Sequence, residues 1–152
     1  MRNVLVMLCM LFATTAVAAE SAEPLAAVHR FIDSFDKGDV KGAEATHAAE
    51  VTIIDDFPPF HWHGRGAFKS WVDDLTKYDK ANGVTDGNLE LGNPLRQEVS
   101  GARAYVVVAS EYSFKQNGVT MREPSQMTFA LAKDSHGWRI IGWTFAGAKP
   151  TP

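Results

Sequence analysis

Behind Pro24, the apolar residues Leu25, Val28, Ile32 and Phe35 recur at steps of three and four, which lines up one stripe of an α-helix opened by a residue suited to its first turn. Gly38 ends that helix. Asp39 can cap a second, short helix through Val40, Ala43 and His47, because its carboxylate accepts from the free N–H groups of a first turn. The same helical spacing returns in Phe68, Trp71, Val72 and Leu75 after Gly64-Arg65-Gly66 and is lost at Ala81-Asn82-Gly83, which predicts the third and longest helix. Between the second and third helices, residues 51–55 form a short β-branched run that reads as a strand. It ends where Phe57-Pro58-Pro59-Phe60 suits neither a ladder nor a helix and opens an aromatic loop. From Val84 onward the pattern is that of strands, predicted over residues 88–99, 102–114, 119–132 and 138–145. Turn signals at Ser100-Gly101, Asn117-Gly118 and His136-Gly137 separate them. Three helices, one early strand and a run of consecutive antiparallel strands predict an α+β domain over residues 20–152 in which a curved sheet wraps the helices.

Residues 1–19 stand apart. One positive charge, Arg2, precedes an uncharged run over residues 4–17, and the small residues Ala16-Val17-Ala18-Ala19 follow. The apolar run is short for a ~30 Å hydrocarbon core, so it reads as a secretory signal peptide cut after Ala18 or Ala19. The expected product is a soluble periplasmic or secreted chain without membrane attachment. Cleavage removes Arg2, making the formal charge of −3 more negative by one unit, and it removes Cys9, the only cysteine. A mature chain of this kind forms no disulfide, thiolate metal site or cysteine nucleophile. Apolar residues at 45% and charged residues at 22% fit an ordinary globular domain, and the absence of any basic cluster longer than a pair argues against nucleic acid as a partner.

Four fragments carry a family resemblance: Val28-His29-Arg30-Phe31 leading into Lys37-Gly38-Asp39, Val51-Thr52-Ile53-Ile54-Asp55, Gly64-Arg65-Gly66-Ala67-Phe68, and Gly137-Trp138-Arg139-Ile140-Ile141. In this order they resemble the nuclear transport factor 2-like superfamily, in particular its ketosteroid isomerase-like and polyketide cyclase-like (SnoaL-like) branch. The resemblance implies a cone-shaped fold with a pocket between the helices and the concave sheet face, and a homodimer formed through the convex face. In the isomerase branch an aspartate ending the first strand takes a proton α to a carbonyl. A tyrosine on the first helix and a protonated acid on a later strand stabilise the enolate. Asp55 falls at the position of the base. Phe31 stands at the tyrosine position and lacks the hydroxyl, while the acid's position holds Gln126, or Met127 if the register slips by one. Each missing donor costs on the order of 2.7–4 kcal/mol of transition-state stabilisation, which argues against steroid isomerisation by that route.

The remaining chemistry gathers around Asp55. By strand alternation Asp56 would face outward if Asp55 faces in, and either could instead accept turn N–H groups. In His61-Trp62-His63 alternate residues of an extended segment share a face, so the two imidazoles could meet Asp55 at the polar end of the cavity. A metal would require further ligands, for which His47 or an aspartate offers itself, and no metal site or cofactor is assigned. Trp62, Trp71, Tyr112, Trp143, Phe145 and Phe31 supply an aromatic wall for a planar or apolar ligand, or else simply fill the cone. Ile141, Trp143 and Phe145 are expected on one inner face, with Trp138 on the convex side. Arg65 could hold an anion at the third helix or pair with Asp55 or Asp56. Arg103, Glu111, Arg122 and Glu123 read as cross-strand charge pairs on a solvated face. Nucleotide and serine-hydrolase motifs are absent.

The expectation is an exported, cofactor-free domain binding a small apolar or aromatic molecule. Its chemistry, if any, is proton transfer (isomerisation, cyclisation or dehydration), with Asp55 or a histidine, His63 or His61, as base and Gln126 as neutral donor. The alternative is a non-catalytic homodimeric interaction module with a filled cone.

Overall fold

The computed structural model describes residues 23–152, so the expected signal peptide lies outside the described residues. Helix α1, Pro24–Asp36, buries Ala27, Val28, Phe31 and Ile32, the stripe its spacing predicts. In α2, Val40–Ala45, Asp39 caps the first turn, accepting the Gly42 N–H at 2.9 Å. The helix stops before His47, because the Thr46 N–H and hydroxyl both turn back to Ala43 O and leave His47 to open a strand.

The strands are β1 (His47–Ile54), β2 (His61–Arg65), β3 (Val84–Ser100), β4 (Arg103–Gln116), β5 (Val119–Asp134) and β6 (Gly137–Gly147), with helix α3 (Ala67–Asn82) between β2 and β3. They form one six-stranded sheet in the order β2-β1-β6-β5-β4-β3. Two features depart from the sequence expectation. The segment around Trp62, expected as a loop, is strand β2, an antiparallel partner of β1 with Ile53 opposite Trp62. β1 and β6 run parallel in an otherwise antiparallel sheet, since a long stretch of chain, including α3 and four strands, intervenes before β6 closes against β1. Parallel neighbours need such a long crossover. The β4–β5 turn is tight because Asn117 and Gly118, at φ 51° and 85°, adopt the left-handed pair that a two-residue hairpin loop requires.

A bulge in β6 decides which residues face inward. Leu131 pairs with Ile140 and Ala130 with Gly142, so Ile141 is the extra residue and the alternation changes phase there. Trp138 and Ile140 therefore share the inner face with Trp143 and Phe145. Trp138 is buried in the core rather than placed on the convex side, and Ile141 does not join the inner row. α1 and α3 pack on this face. The Phe31 ring meets His47 edge-on at 4.7 Å, Phe68 at 6.0 Å and Phe129 at 6.4 Å, and burial of each such ring contributes about 1.5–3 kcal/mol. Among the described residues no helix is long and apolar enough to cross a membrane.

Candidate functional site

The rings do not fill the cone. A cavity of about 780 Å³ remains between α1, α3 and the inner faces of β4, β5 and β6, and the turn after β1 and the segment at Lys149 and Pro150 border it.

Asp55 lies on its wall, one residue past the end of β1. Its N–H donates to Phe60 O at 3.2 Å, which closes the turn after β1. Its Oδ1 accepts the Asp56 N–H at 2.8 Å, and its Oδ2 accepts the indole N–H of Trp71 on α3, also at 2.8 Å. Burial nevertheless pushes Asp55 up to about 6, outweighing these two hydrogen bonds. Asp56 lines the cavity as well, although alternation places it outside: the strand has ended at Ile54, and its period no longer governs the turn.

Glu123 on β5 is 5% exposed. Its inward direction corrects the expectation of a solvated charge pair. That pair does exist one residue away, where Arg122 donates to Glu111 at 2.6 Å on the outer side. Burial, a hydrogen bond to the Asp56 carboxyl, and the charges of Asp56 and Asp55 hold Glu123 well above the usual carboxylate range, so it keeps its proton when Asp55 has lost its own. Its Oε1 has no hydrogen-bond partner.

Tyr112 on β4 sends its hydroxyl toward Gly87, where a side chain on β3 would collide with it. Burial, then the charges of Asp79, Glu123, Asp55 and Asp36, push the phenol above its ordinary range, so it remains an O–H donor. Asp36, at the end of α1, accepts the Leu89 N–H at 3.3 Å, and burial raises both it and Asp79.

The aromatic wall is held in register by a buried relay. The Trp143 indole N–H donates to His47 Nε2 at 3.1 Å. Since indole nitrogen only donates, Nε2 must accept, and His47 Nδ1 carries the hydrogen that meets Ala43 O at 3.0 Å. Burial lowers His47 to about 4 and keeps it neutral in this role. The Trp143 ring stands perpendicular to Trp71 at 5.0 Å and tilted against Phe31 at 5.7 Å.

Trp71, Tyr112, Trp143, Phe145 and Phe31 thus border the cavity together with Asp55. Five other candidates do not. His61 and His63 project from the outer face of β2, where their rings stack at 6.2 Å and His63 Nδ1 contacts the Thr52 hydroxyl at 3.0 Å. The alternation that unites them also points both away from Asp55. Trp62 between them is buried against Phe57, its N–H on Asp74 at 3.1 Å, in the layer between β2 and α3. Gln126 is exposed on the outer face, opposite Ala109 and Ala146, and its neighbour Met127 faces the cavity. Arg65 is exposed and, among the described residues, forms no ion pair with Asp55 or Asp56. Sequence reasoning overlooked Glu123, Asp79 and Asp36. Glu123 shares the period-two row of Met127, Phe129 and Leu131, and Asp79 follows Trp71, Val72 and Leu75 at helical spacing.

A curled sheet closed over helices, with a cavity at the open end, defines the α+β class of the nuclear transport factor 2-like fold. Solved structures of that class superpose over most of the chain. A ketosteroid isomerase-like protein from Erwinia carotovora atroseptica is 20% identical with a TM-score of 0.67, covering 86% of this chain and 98% of its own. A nuclear transport factor 2-like protein from Salmonella enterica serovar Typhimurium is 20% identical with a TM-score of 0.69, covering 90% and 96%. A candidate scytalone dehydratase from Novosphingobium aromaticivorans is 13% identical with a TM-score of 0.70, covering 89% and 87%. Within this class the chain belongs to the SnoaL-like domain family, whose model matches residues 25–145. No curated protein matches it.

Proposed function

We propose that this chain is an exported enzyme that binds a small molecule with an apolar or aromatic body and moves a proton on it, in an isomerisation, cyclisation or dehydration. The observation that carries the reading is Asp55: a carboxylate with one oxygen on the Trp71 indole, desolvated at the wall of an aromatic cavity and raised to about 6. A base works best when its pKa lies near the operating pH, since it is then both unprotonated and strong enough to take a proton. Fold alone does not specify the reaction, so the assignment rests on this site.

Asp55 takes the proton. The Tyr112 O–H and the protonated Glu123 carboxyl face the same cavity and supply hydrogen bonds, or a proton, to the oxygen where negative charge develops. They occupy the part the sequence reading gave to Gln126. Among the structures that share the fold are ones named for likeness to an isomerase and as a candidate dehydratase, names that agree with this reading.

The test is enzyme-dependent deuterium exchange α to the carbonyl of a panel of bicyclic aromatic ketones in D2O, followed by proton NMR. Exchange that falls at least 100-fold in Asp55→Asn while the variant remains folded supports the reading. Equal exchange in wild type and variant overturns it. Export is tested separately by the mass of the secreted chain, expected to begin after Ala18 or Ala19.

A further inference from the structure

We propose that Gly87 is a positioning residue of this site: its missing side chain leaves the space in which the Tyr112 hydroxyl stands as hydrogen-bond donor to the reacting oxygen. The inference rests on the preceding proton-transfer reading and adds the residue on which its donor depends.

β3 leaves its register with β4 at this point. Thr85 pairs with Lys115 and Asn88 with Ser113, so Asp86 and Gly87 together stand opposite Phe114 in a β-bulge. The bulge residue in the left-handed region is Asp86, at φ 56°, and its carboxylate reaches Lys115 on β4 at 2.9 Å. Gly87 is not among the residues with positive φ, so its backbone would accept any L-residue and the bulge itself does not call for glycine there. Space does. An added Cβ would collide with the Tyr112 hydroxyl and lie 3.2 Å from the ring carbons Cε2 and Cζ.

The tyrosine ring is itself held on other sides. It stacks on Phe114 at 5.0 Å and meets Phe145 edge-on at 6.5 Å, and its partner across the strands is Leu89, which packs against the core. Among the described residues the hydroxyl makes no hydrogen bond, so packing alone sets its place in the wall of the cavity that Gly87 and Tyr112 both line. Its hydrogen is free for a ligand oxygen. A donor placed in this way is lost by a displacement on the order of 1 Å, because a hydrogen bond to developing charge needs both distance and direction.

The test compares wild type, Gly87→Ala, Tyr112→Phe and the double variant in the deuterium exchange of bicyclic aromatic ketones. A tyrosine Cζ carbon label is read by NMR alongside, with Tyr112 assigned by its loss in Tyr112→Phe. Gly87→Ala is expected to lower kcat at least 10-fold with KM within threefold, and to shift the Tyr112 Cζ resonance. Tyr112→Phe is expected to lower kcat about 100-fold. Adding Gly87→Ala to Tyr112→Phe is expected to change kcat less than twofold, because the oxygen that the methyl group meets is gone. It is also expected to restore any melting temperature that Gly87→Ala alone has lost. Wild-type kcat in Gly87→Ala, or an unmoved Cζ resonance, overturns the inference and leaves the proton-transfer reading standing. An equal loss of kcat from Gly87→Ala with and without the hydroxyl overturns it in favour of a general packing role, as does a double variant that does not fold. No exchange by the wild type overturns the proton-transfer reading and this inference with it.

Discussion

The Trp71 indole N–H and the Asp55 Oδ2 stand 2.8 Å apart, so a donor from the middle of α3 holds the carboxylate that ends β1. This bond favours the ionised acid and opposes burial, which favours the neutral one. Trp71→Phe removes the donor and keeps most of the ring. The Asp55 carboxyl is then expected to titrate above its present value of about 6, read by carbon NMR of labelled aspartate. Stability is expected to fall by about 1.5–3 kcal/mol, the range for hydrogen bonds to charged groups.

Asp55 costs stability where it is ionised. Its folded pKa of about 6 lies above the ordinary aspartate value of 3.8, so the folded chain binds more protons than the unfolded one between those limits, and stability declines as pH rises through that window. Asp55→Asn is expected to raise stability at pH 8 by up to about 2–3 kcal/mol, with no gain at pH 3, while abolishing proton transfer. Urea denaturation at the two pH values checks it.

His47 responds in the opposite sense. Its folded pKa of about 4 lies below the ordinary imidazole value of 6.5, so the unfolded chain takes the proton first, and stability present above pH 6.5 is lost as pH falls toward 4. The contribution is on the order of 3 kcal/mol. A direct check is its imidazole proton resonance, expected to stay in the neutral position until the pH approaches 4.

Because His61 and His63 lie on the outer face of β2, their replacement is expected to spare the cavity. The double change to alanine should leave binding of any cavity ligand within twofold and stability within about 0.5 kcal/mol per site. A large loss of binding would return the pair to the site.

Phe31 is 1% exposed and touches rings from α3, β1, β5 and β6. Phe31→Ala is expected to cost about 3–5 kcal/mol, seen as a lowered melting temperature, because the surrounding rings cannot close on the void.

Local patterns made much of the architecture readable. The helical stripe behind Pro24, the cap at Asp39, and the turn residues Asn117-Gly118 each act over a few neighbours, where sterics and hydrogen bonding decide the outcome. β2 was hidden because His61-Trp62-His63 is short and follows a proline turn, and its pairing with β1 is what makes it a strand. The candidate site was partly readable for the same reason. Trp71, Tyr112, Trp143 and Asp55 sit on elements whose inner face follows from local periodicity, whereas Glu123 stands among charged and polar neighbours that mask its row.

The order of helices and strands, their capping residues and the aromatic supply of the interior were determined by the chain itself, since each depends on spacings of four residues or fewer. Tertiary structure alone decided that β1 and β6 run side by side in parallel, that the bulge at Ile141 turns Trp138 inward, and that carboxyls from α1, the turn after β1, α3 and β5 face one cavity. These depend on contacts between residues far apart in sequence, where burial and charge act through space and no local period records them.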